Sequence, residues 1–460
     1  MANVRNNKYH LNKSRYSKQR LFIVTLLLLT LVSVLLFPSC NPSKKGGKNS
    51  SYVSFNITMK DDDSFKILYL TDLHFINSTV TSKNSVINDL TLRDEWAKSA
   101  TTSVVQEADP DFLVVSGDMV FTQNLASLIT QTNDNYAAFK KAVDFIDGFG
   151  IPWAFCFGNH DEEGSLLDVM HGNVKNTKKA LSSYLMSSNV KNCLYADGPE
   201  EINGCGNYVI NVLNRDNSVN TSLVFFDSGS YIKMYDETKG KYVGGIWNYE
   251  YVHDDQLDWY ESAIKDISAL EGRNVPSIVF QHIPLPIYQT VLDAYMATLE
   301  ENGESWRDTI NYEWEYGTER TLETKIGAVT YHGGVCNKEN QEVCHSFIGT
   351  YNGVEFDGGH EFDRILSLGS TKYVFCGHDH RNTFSFTYKG VRLTYGMSID
   401  YSAVGLLPDG IYPNQNIYDE TEQRGGTLVT LKGNGNTMVK QIPFARNLYR
   451  ETIEERGMTE

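Results

Sequence analysis

Five stretches of this chain run a short apolar, β-rich segment directly into residues that ligate metals, and no other feature constrains the fold as much. The segments are FKILYL before Asp72-Leu73-His74, DFLVV before Gly117-Asp118, PWAFCF before Gly158-Asn159-His160-Asp161, PSIVF before His282, and KYVFC before Gly377-His378-Asp379-His380. Each is about one buried strand long. Layered α/β proteins build their sites at the carboxyl ends of strands. Taken singly, a strand-end His is usually a hydrogen-bonded residue, Asp118 could cap the next segment, and Asn159 could sit in a turn. Those explanations would have to hold separately at five strand ends. The chain therefore reads as one that gathers Asp, Asn and His at one edge to hold two metal ions.

Spacing and donor type refine this reading. Asp72 and His74 are two residues apart, as are His378 and His380, so on an extended backbone each pair would leave the same face and share one ion. Imidazole mixed with carboxylate suits Zn²⁺, Mn²⁺ or Fe, whereas Ca²⁺ and Mg²⁺ prefer oxygen shells. Asp161 is placed either to orient His160 or to cap the following turn. Asp379, between two ligand positions, points away from them and stabilises a turn. Arg381 and Asn382, just past the last ligand position, are placed to touch substrate or to support the ligands.

The rest of the pattern sets the architecture. Helical periodicity covers 91–107, 135–147 (with Gly148 and Gly150 as stop signals) and 254–270, where an Asp cap opens the helix. Strand, ligand, helix and strand recur three times, as in parallel strands joined by crossovers. After 370 the chain changes to short alternating strands with Gly-containing turns, TFSFTYKGVRLTYG and GTLVTLKGNGNTMVKQI, which are antiparallel hairpins. The expectation is a mixed α/β fold, two sheets face to face with helices outside. Residues 63–448 form one domain and 449–460 a polar C-terminal tail. The polar, aromatic- and Gly-rich stretch 284–362 reads as an insertion at the site mouth.

TDLH, SGDMV, GNHD, QHIP and GHDH stand in the order and spacing of the calcineurin-like metallophosphoesterases, and the chain resembles that family over about 66–400. PWAFCFGNHDEEG, FFDSGSY, QHIPLPIY and GHDHRNTF point to its purple-acid-phosphatase-like branch. The resemblance implies a four-layer α-β-β-α sandwich of two packed mixed sheets. It implies a dinuclear centre in which Asp72, His74 and His380 hold one ion, Asn159, His282 and His378 hold the other, and Asp118 bridges both. It also implies that His160 is catalytic without being a ligand, and that the substrate is a small phosphate ester. Purple acid phosphatases place a metal-bound Tyr three residues after the bridging Asp. This chain has Phe121 there, which removes the reason to expect an obligatory Fe(III) and leaves Mn, Fe or Zn.

Charge and the N-terminus bear on partners and address. The formal charge is −16. The first 39 residues carry six Lys/Arg and no acid, so the remainder holds 35 basic against 57 acidic residues, a net −22. A body that acidic lacks the footprint of a general nucleic-acid binder. Residues 1–20 form a basic region, 21–37 (LFIVTLLLLTLVSVLLF) an uncharged hydrophobic run, and 38–62 a polar linker. The run reads as a cleaved signal, a membrane anchor, or a lipoprotein signal with lipid on Cys40. Each reading puts the body outside the cytoplasm, secreted or membrane-anchored. Cys193/Cys205 and Cys336/Cys344 are spaced to close small disulfide loops there, while Cys156 and Cys376 read as buried thiols.

Overall fold

The computed structural model describes residues 54–60, 64–121, 134–163, 177–236, 241–306, 310, 319–336, 343–351, 354–402, 424–433 and 435–458. The basic region, the hydrophobic run and Cys40 lie outside these residues. Among the described residues no helix is long and apolar enough to cross a membrane.

In chain order the first half contains β1 (Ser54–Thr58), β2 (Phe65–Leu70), α1 (Thr91–Ala108), β3 (Phe112–Ser116), α2 (Asn135–Asp147), β4 (Trp153–Cys156) and α3 (Lys178–Leu185). Next come β5 (Tyr208–Leu213), β6 (Val219–Phe225), the hairpin β7 (Tyr231–Asp236) and β8 (Lys241–Tyr249), α4 (Asp254–Glu271) and β9 (Ser277–Phe280). The second half holds α5 (Ile287–Glu301), β10 (Arg320–Thr324), β11 (Gly327–Tyr331), β12 (Ile348–Tyr351), β13 (Val354–Asp357), α6 (His360–Leu368) and β14 (Thr371–Cys376). It ends with β15 (Ser385–Tyr388), β16 (Val391–Tyr395), β17 (Gly425–Leu431), β18 (Thr437–Pro443) and α7 (Leu448–Glu455).

Two mixed sheets carry the fold, one of five strands in the order β18-β17-β2-β3-β4 and one of nine in the order β1-β5-β6-β9-β14-β16-β15-β11-β10. Within them β2, β3 and β4 run parallel, and so do β6, β9, β14 and β16. The five ligand-bearing strands are thus neighbours in two groups with a common direction. Both hairpins expected after residue 370 form as antiparallel pairs.

The sheets meet through aromatic rings. Tyr208, Phe225, Phe280 and Phe375 stack in a row along the nine-stranded sheet, at centroid spacings of 4.7, 5.4 and 5.3 Å. Tyr69 of β2 lies on that row, 5.7 Å from Phe280 and 5.6 Å from Phe375. Such rings are large apolar payloads, and offset stacking adds to their burial. Outside the small sheet pack α1, α2, α3 and α7, and outside the large sheet α4, α5 and α6. The result is the four-layer α-β-β-α sandwich.

Several expectations need correction. Ser54–Thr58, read as part of the 38–62 linker, is an edge strand paired parallel with β5, because Phe55 and Ile57 reach the core from one face. Residues 449–460 are not simply a polar tail. Ile453 is buried on the small-sheet core with Tyr449 packed against it, and Trp96 Nε1–H donates to Thr452 Oγ1 at 3.2 Å. The stretch 284–362 is no mere insertion, since α5 is buried in the outer core and β10–β11 extend the large sheet. Asp254 opens α4 as its first helical residue; the cap is His253, whose N–H donates to Gln256 Oε1 at 2.8 Å. The two expected disulfides are not formed. Cys193 sits beside Trp153 at the small sheet, whereas the Cys205 amide donates to Asp227 after β6 of the large one. Cys336 and Cys344 are likewise thiols. Cys156 and Cys376 are buried thiols in their strands, as expected.

Candidate metal centre

The five strands β2, β3, β4, β9 and β14 end at one seam between the sheets, and the ligand-type residues follow those ends directly. The seam is stitched by Ser116 Oγ–H donating to the Gln281 carbonyl at 2.6 Å and by His282 Nδ1 at 2.8 Å from the Ser116 carbonyl. Asp72 and His74 do not sit on extended backbone, as their spacing had implied. Both adopt left-handed φ, 52° and 51°, as do Asp118 at 49° and His378 at 76°. Left-handed non-glycine residues are uncommon and cluster where a site over-determines the backbone. The fixing bonds are visible, since the Asp72 and His74 amides donate to the Gly117 and Asp118 carbonyls at 3.3 and 3.0 Å. Two glycines permit the close approach. A Cβ on Gly158 would lie 2.2 Å from Asp118 Oδ1, and one on Gly377 1.9 Å from Thr71 Oγ1.

The structure brings all eight predicted site residues together. One ligand group contains Asp72, His74, Asp118 and His380, a second Asp118, His282 and His378, with candidate atoms within 4.8 Å of one another in each. Asp118 is common to both. Its Oδ2 lies 3.0 Å from His282 Nε2 and 3.6 Å from His74 Nε2, while Oδ1 accepts the His160 amide at 2.8 Å. His380 Nε2 is 3.3 Å from Asp72 Oδ1. Asn159 Oδ1 approaches His282 Nε2 at 3.2 Å, and the Asn159 amide donates to Tyr231 OH at 3.3 Å. Asp72 Oδ1, His74 Nε2, Asp118 Oδ2 and both ring nitrogens of His378 are buried without a hydrogen-bond partner. Buried polar atoms are almost always satisfied. Four of these atoms, one each from Asp72, His74, Asp118 and His378, can turn to one space, and that matches what a pair of transition-type cations would fill.

The other face of each imidazole is anchored. Asp400 accepts from His74 Nδ1 at 2.7 Å through Oδ1 and faces His380 Nδ1 at 3.2 Å through Oδ2. His282 gives its Nδ1–H to Ser116. These contacts fix the tautomer that leaves each Nε2 lone pair aimed inward. Burial works against charge on Asp400, yet His74 and His380 hold its carboxyl well below the usual carboxylate range. Asp118 is likewise held low against burial, by His282 and His160.

His160 stands at the mouth. Its side chain is 20% exposed, and His380 is 15% exposed, while the other ligand-type side chains are buried. His160 Nε2 is 4.0 Å from Asp118 Oδ2, and Nδ1 is 2.8 Å from Glu163 Oε2. Burial opposes its charge, but the Glu163 and Asp118 carboxylates raise its pKa to about 9. Asp161 does not orient it. Its carboxylate accepts the amides of Gly158, Asp118 and Met119 at 2.7, 3.0 and 2.8 Å, pinning the loops that carry Asn159 and Asp118. Asp379 accepts from Asn382 Nδ2 at 2.7 Å, the turn role expected of it, which engages Asn382 there.

Residues that sequence reasoning missed surround this core. Glu163 lies just beyond GNHD. Asp400 follows the apolar run VRLTYGMSI in the same strand-then-carboxylate pattern, and that signal was available. Tyr249 sets its ring across His378 at 4.1 Å and 81°. Phe121 packs on His74 and His160, at 5.0 and 4.9 Å, filling with an inert ring the place beside the ligands.

The family model described as calcineurin-like phosphoesterase matches residues 65–382. The probable inactive purple acid phosphatase 28 of Arabidopsis thaliana is 26% identical over 399 residues, covering 83% of this chain and 83% of that protein. Phosphatase DCR2 of Saccharomyces cerevisiae is 27% identical over 238 residues, 50% of this chain and 36% of its own length. A dimetal phosphatase structure from Danio rerio aligns at a TM-score of 0.40 and 10% identity, over 84% of this chain and 100% of that one.

Proposed function

This chain belongs to the calcineurin-like phosphoesterase family, in its purple-acid-phosphatase-like branch, and from that membership we propose that it is a metal-dependent hydrolase of small phosphate esters. One observation carries the reading: a buried set of partnerless donor atoms arranged around a carboxylate that two ligand groups share. Two cations of the Mn, Fe or Zn type, when bound there, would lower the pKa of a water and offset the charge of a phosphoryl group.

The chain's own residues supply the rest. Asp118 occupies the shared position, and the Nδ1 contacts of His74, His282 and His380 turn the Nε2 of each ring inward. His160 belongs to neither ligand group and keeps Nε2 toward the cluster while Nδ1–H goes to Glu163. It is placed to hold a proton at Nε2 for the leaving oxygen, a role typically contributing about 10²–10⁴-fold. Among the described site residues, His160 and His380 have the most exposed side chains.

The name of the Arabidopsis relative calls that protein inactive; here the ligand-type positions and His160 are all present and converge, which supports activity. A phosphodiesterase or nucleotidase uses the same core, because selectivity lies in loops rather than ligands. The acidic body supports a small-molecule substrate over nucleic acid. The run 21–37 behind six basic residues supports a body outside the cytoplasm, secreted or held at a membrane. The test is turnover of matched chromogenic mono- and diesters with Mn, Fe or Zn supplied, beside metal analysis. A protein that loads two ions and turns over neither substrate would sink the hydrolase reading in favour of a binding protein.

A further inference from the structure

We propose that a basic cavity at the end of the sheets opposite the metal centre binds a small, multiply charged oxyanion. The cavity, ≈ 860 Å³, opens where the starts of β14 and β16 meet the turn between β17 and β18. That is within the size range of small-molecule sites. Lys372 stands at the start of β14 and His378 just past its end, so about 20 Å of strand separates cavity from metal cluster at ~3.3 Å per residue.

The charge of its wall runs against the chain. Lys372, Arg392 and Lys432 line it, against one carboxylate, Glu319, in a protein of formal charge −16. His332 also lines it but adds no charge. Burial, then the neighbouring Arg392, pushes its pKa down to about 4. Its contacts suit the neutral ring, with Nδ1 2.9 Å from Glu319 and Nε2 2.7 Å from Thr387 Oγ1. Glu319 is thereby engaged by the imidazole. Arg392 is buried and held by its Nε–H donating to Ser385 Oγ at 2.9 Å, which presets the guanidinium. Among the described residues neither lysine has a carboxylate partner. Lys372 Nζ donates only to the Gly369 carbonyl at 3.0 Å. A buried arginine and two lysines lining one cavity combine a planar fork with point charges, a set suited to phosphate-like groups.

This site does not depend on the hydrolase reading, and its test avoids the metal centre. The intact chain is stripped of metal, kept in EDTA, and titrated calorimetrically with inorganic pyrophosphate. Saturable binding that weakens with added salt is expected. The Lys372→Gln/Lys432→Gln variant should bind at least about tenfold more weakly, as loss of charge-assisted contacts implies, while Lys372→Arg/Lys432→Arg retains binding. Neither lysine is buried, so the fold tolerates these changes. Absence of saturable binding to the wild type, or unchanged affinity in the double glutamine variant, overturns the proposal.

Discussion

Asp400 Oδ1 lies 2.7 Å from His74 Nδ1 across 326 residues of sequence, and the other oxygen of the same carboxylate reaches His380 Nδ1 at 3.2 Å. One side chain thus fixes the tautomer of two imidazoles in a single ligand group. Replacing such a partner typically costs about 10–100-fold in metal affinity. Asp400→Asn is therefore expected to lower occupancy of the Asp72–His74–His380 position by about that factor. The His282–His378 position should be spared, because Ser116 rather than Asp400 orients His282. Metal titration with elemental analysis checks this; equal weakening of both ions would show that Asp400 acts on the fold at large.

Asp118 behaves differently because it belongs to both groups. Asp118→Asn keeps the volume and leaves an oxygen to accept the His160 amide, but it removes the anion between two cations. Both ions should be lost together, and turnover with them. An Asp118→Asn protein that stays active with two bound metals would falsify the bridging assignment.

His160 and Glu163 separate chemistry from metal binding. His160→Ala should keep the metal content of the wild type and lose about 10²–10⁴-fold in kcat. Glu163→Gln keeps a hydrogen-bond acceptor but removes the carboxylate that favours the imidazolium. Its loss should be smaller, and the alkaline limb of the rate profile should move to lower pH. An unshifted profile with reduced kcat would leave Glu163 a packing residue.

The strand ends were legible because a buried strand followed by Asp, Asn or His is a local pattern, and five repeats exclude coincidence. The helices at 135–147 and 254–270 were legible for the same reason: apolar period and stop signals lie within one window. What sequence hid was nonlocal. The strand before Asp400 marks that residue but not its pairing with His74, and nothing near Cys193 shows that Cys205 hangs from the other sheet. The edge strand Ser54–Thr58 was lost in a polar stretch because only Phe55 and Ile57 carry its pattern. The left-handed backbone at Asp72 and His74 arises from bonds to Gly117 and Asp118, residues of a different strand end.

The FFDSGSY stretch contributes no ligand, and the structure gives it a different role through Asp227. Lys178 Nζ donates to both oxygens of Asp227 at 2.7 and 2.9 Å, and both side chains are buried. The same carboxylate takes the Cys205 and Gly229 amides at 2.8 and 3.0 Å. Breaking a buried pair from one side strands a charge and typically destabilises by about 3–5 kcal/mol. Asp227→Ala should show a loss of that size in denaturant unfolding. Lys178→Met/Asp227→Ala should recover part of it, because no unpaired ammonium is left behind. If the double variant is no more stable than the single, the amide contacts rather than the ion pair carry the effect.

Glu361 gives the chain a pH-dependent weakness away from the metals. It is buried at the start of α6, with Gln281 Nε2 donating to its Oε2 at 3.3 Å, and Oε1 has no partner. Burial raises its pKa from 4.5 to about 8, with only partial relief from Gln281. The folded state therefore keeps a proton that the unfolded chain releases near pH 4.5. The associated stability is fully present below that value, falls as pH rises toward about 8, and is gone above it. The full effect is at most roughly 5 kcal/mol, since each tenfold difference in proton affinity between folded and unfolded chain is worth about 1.4 kcal/mol. Glu361→Gln is neutral at every pH, and its amide can donate toward Gln281 Oε1, which also lacks a partner. The difference in unfolding free energy between variant and wild type should thus be small at about pH 5 and favour the variant increasingly toward about pH 8.5. Taking the difference removes the contribution of the metal-site histidines, which both proteins share. A difference that does not change with pH would mean Glu361 ionises in the fold as freely as in the open chain.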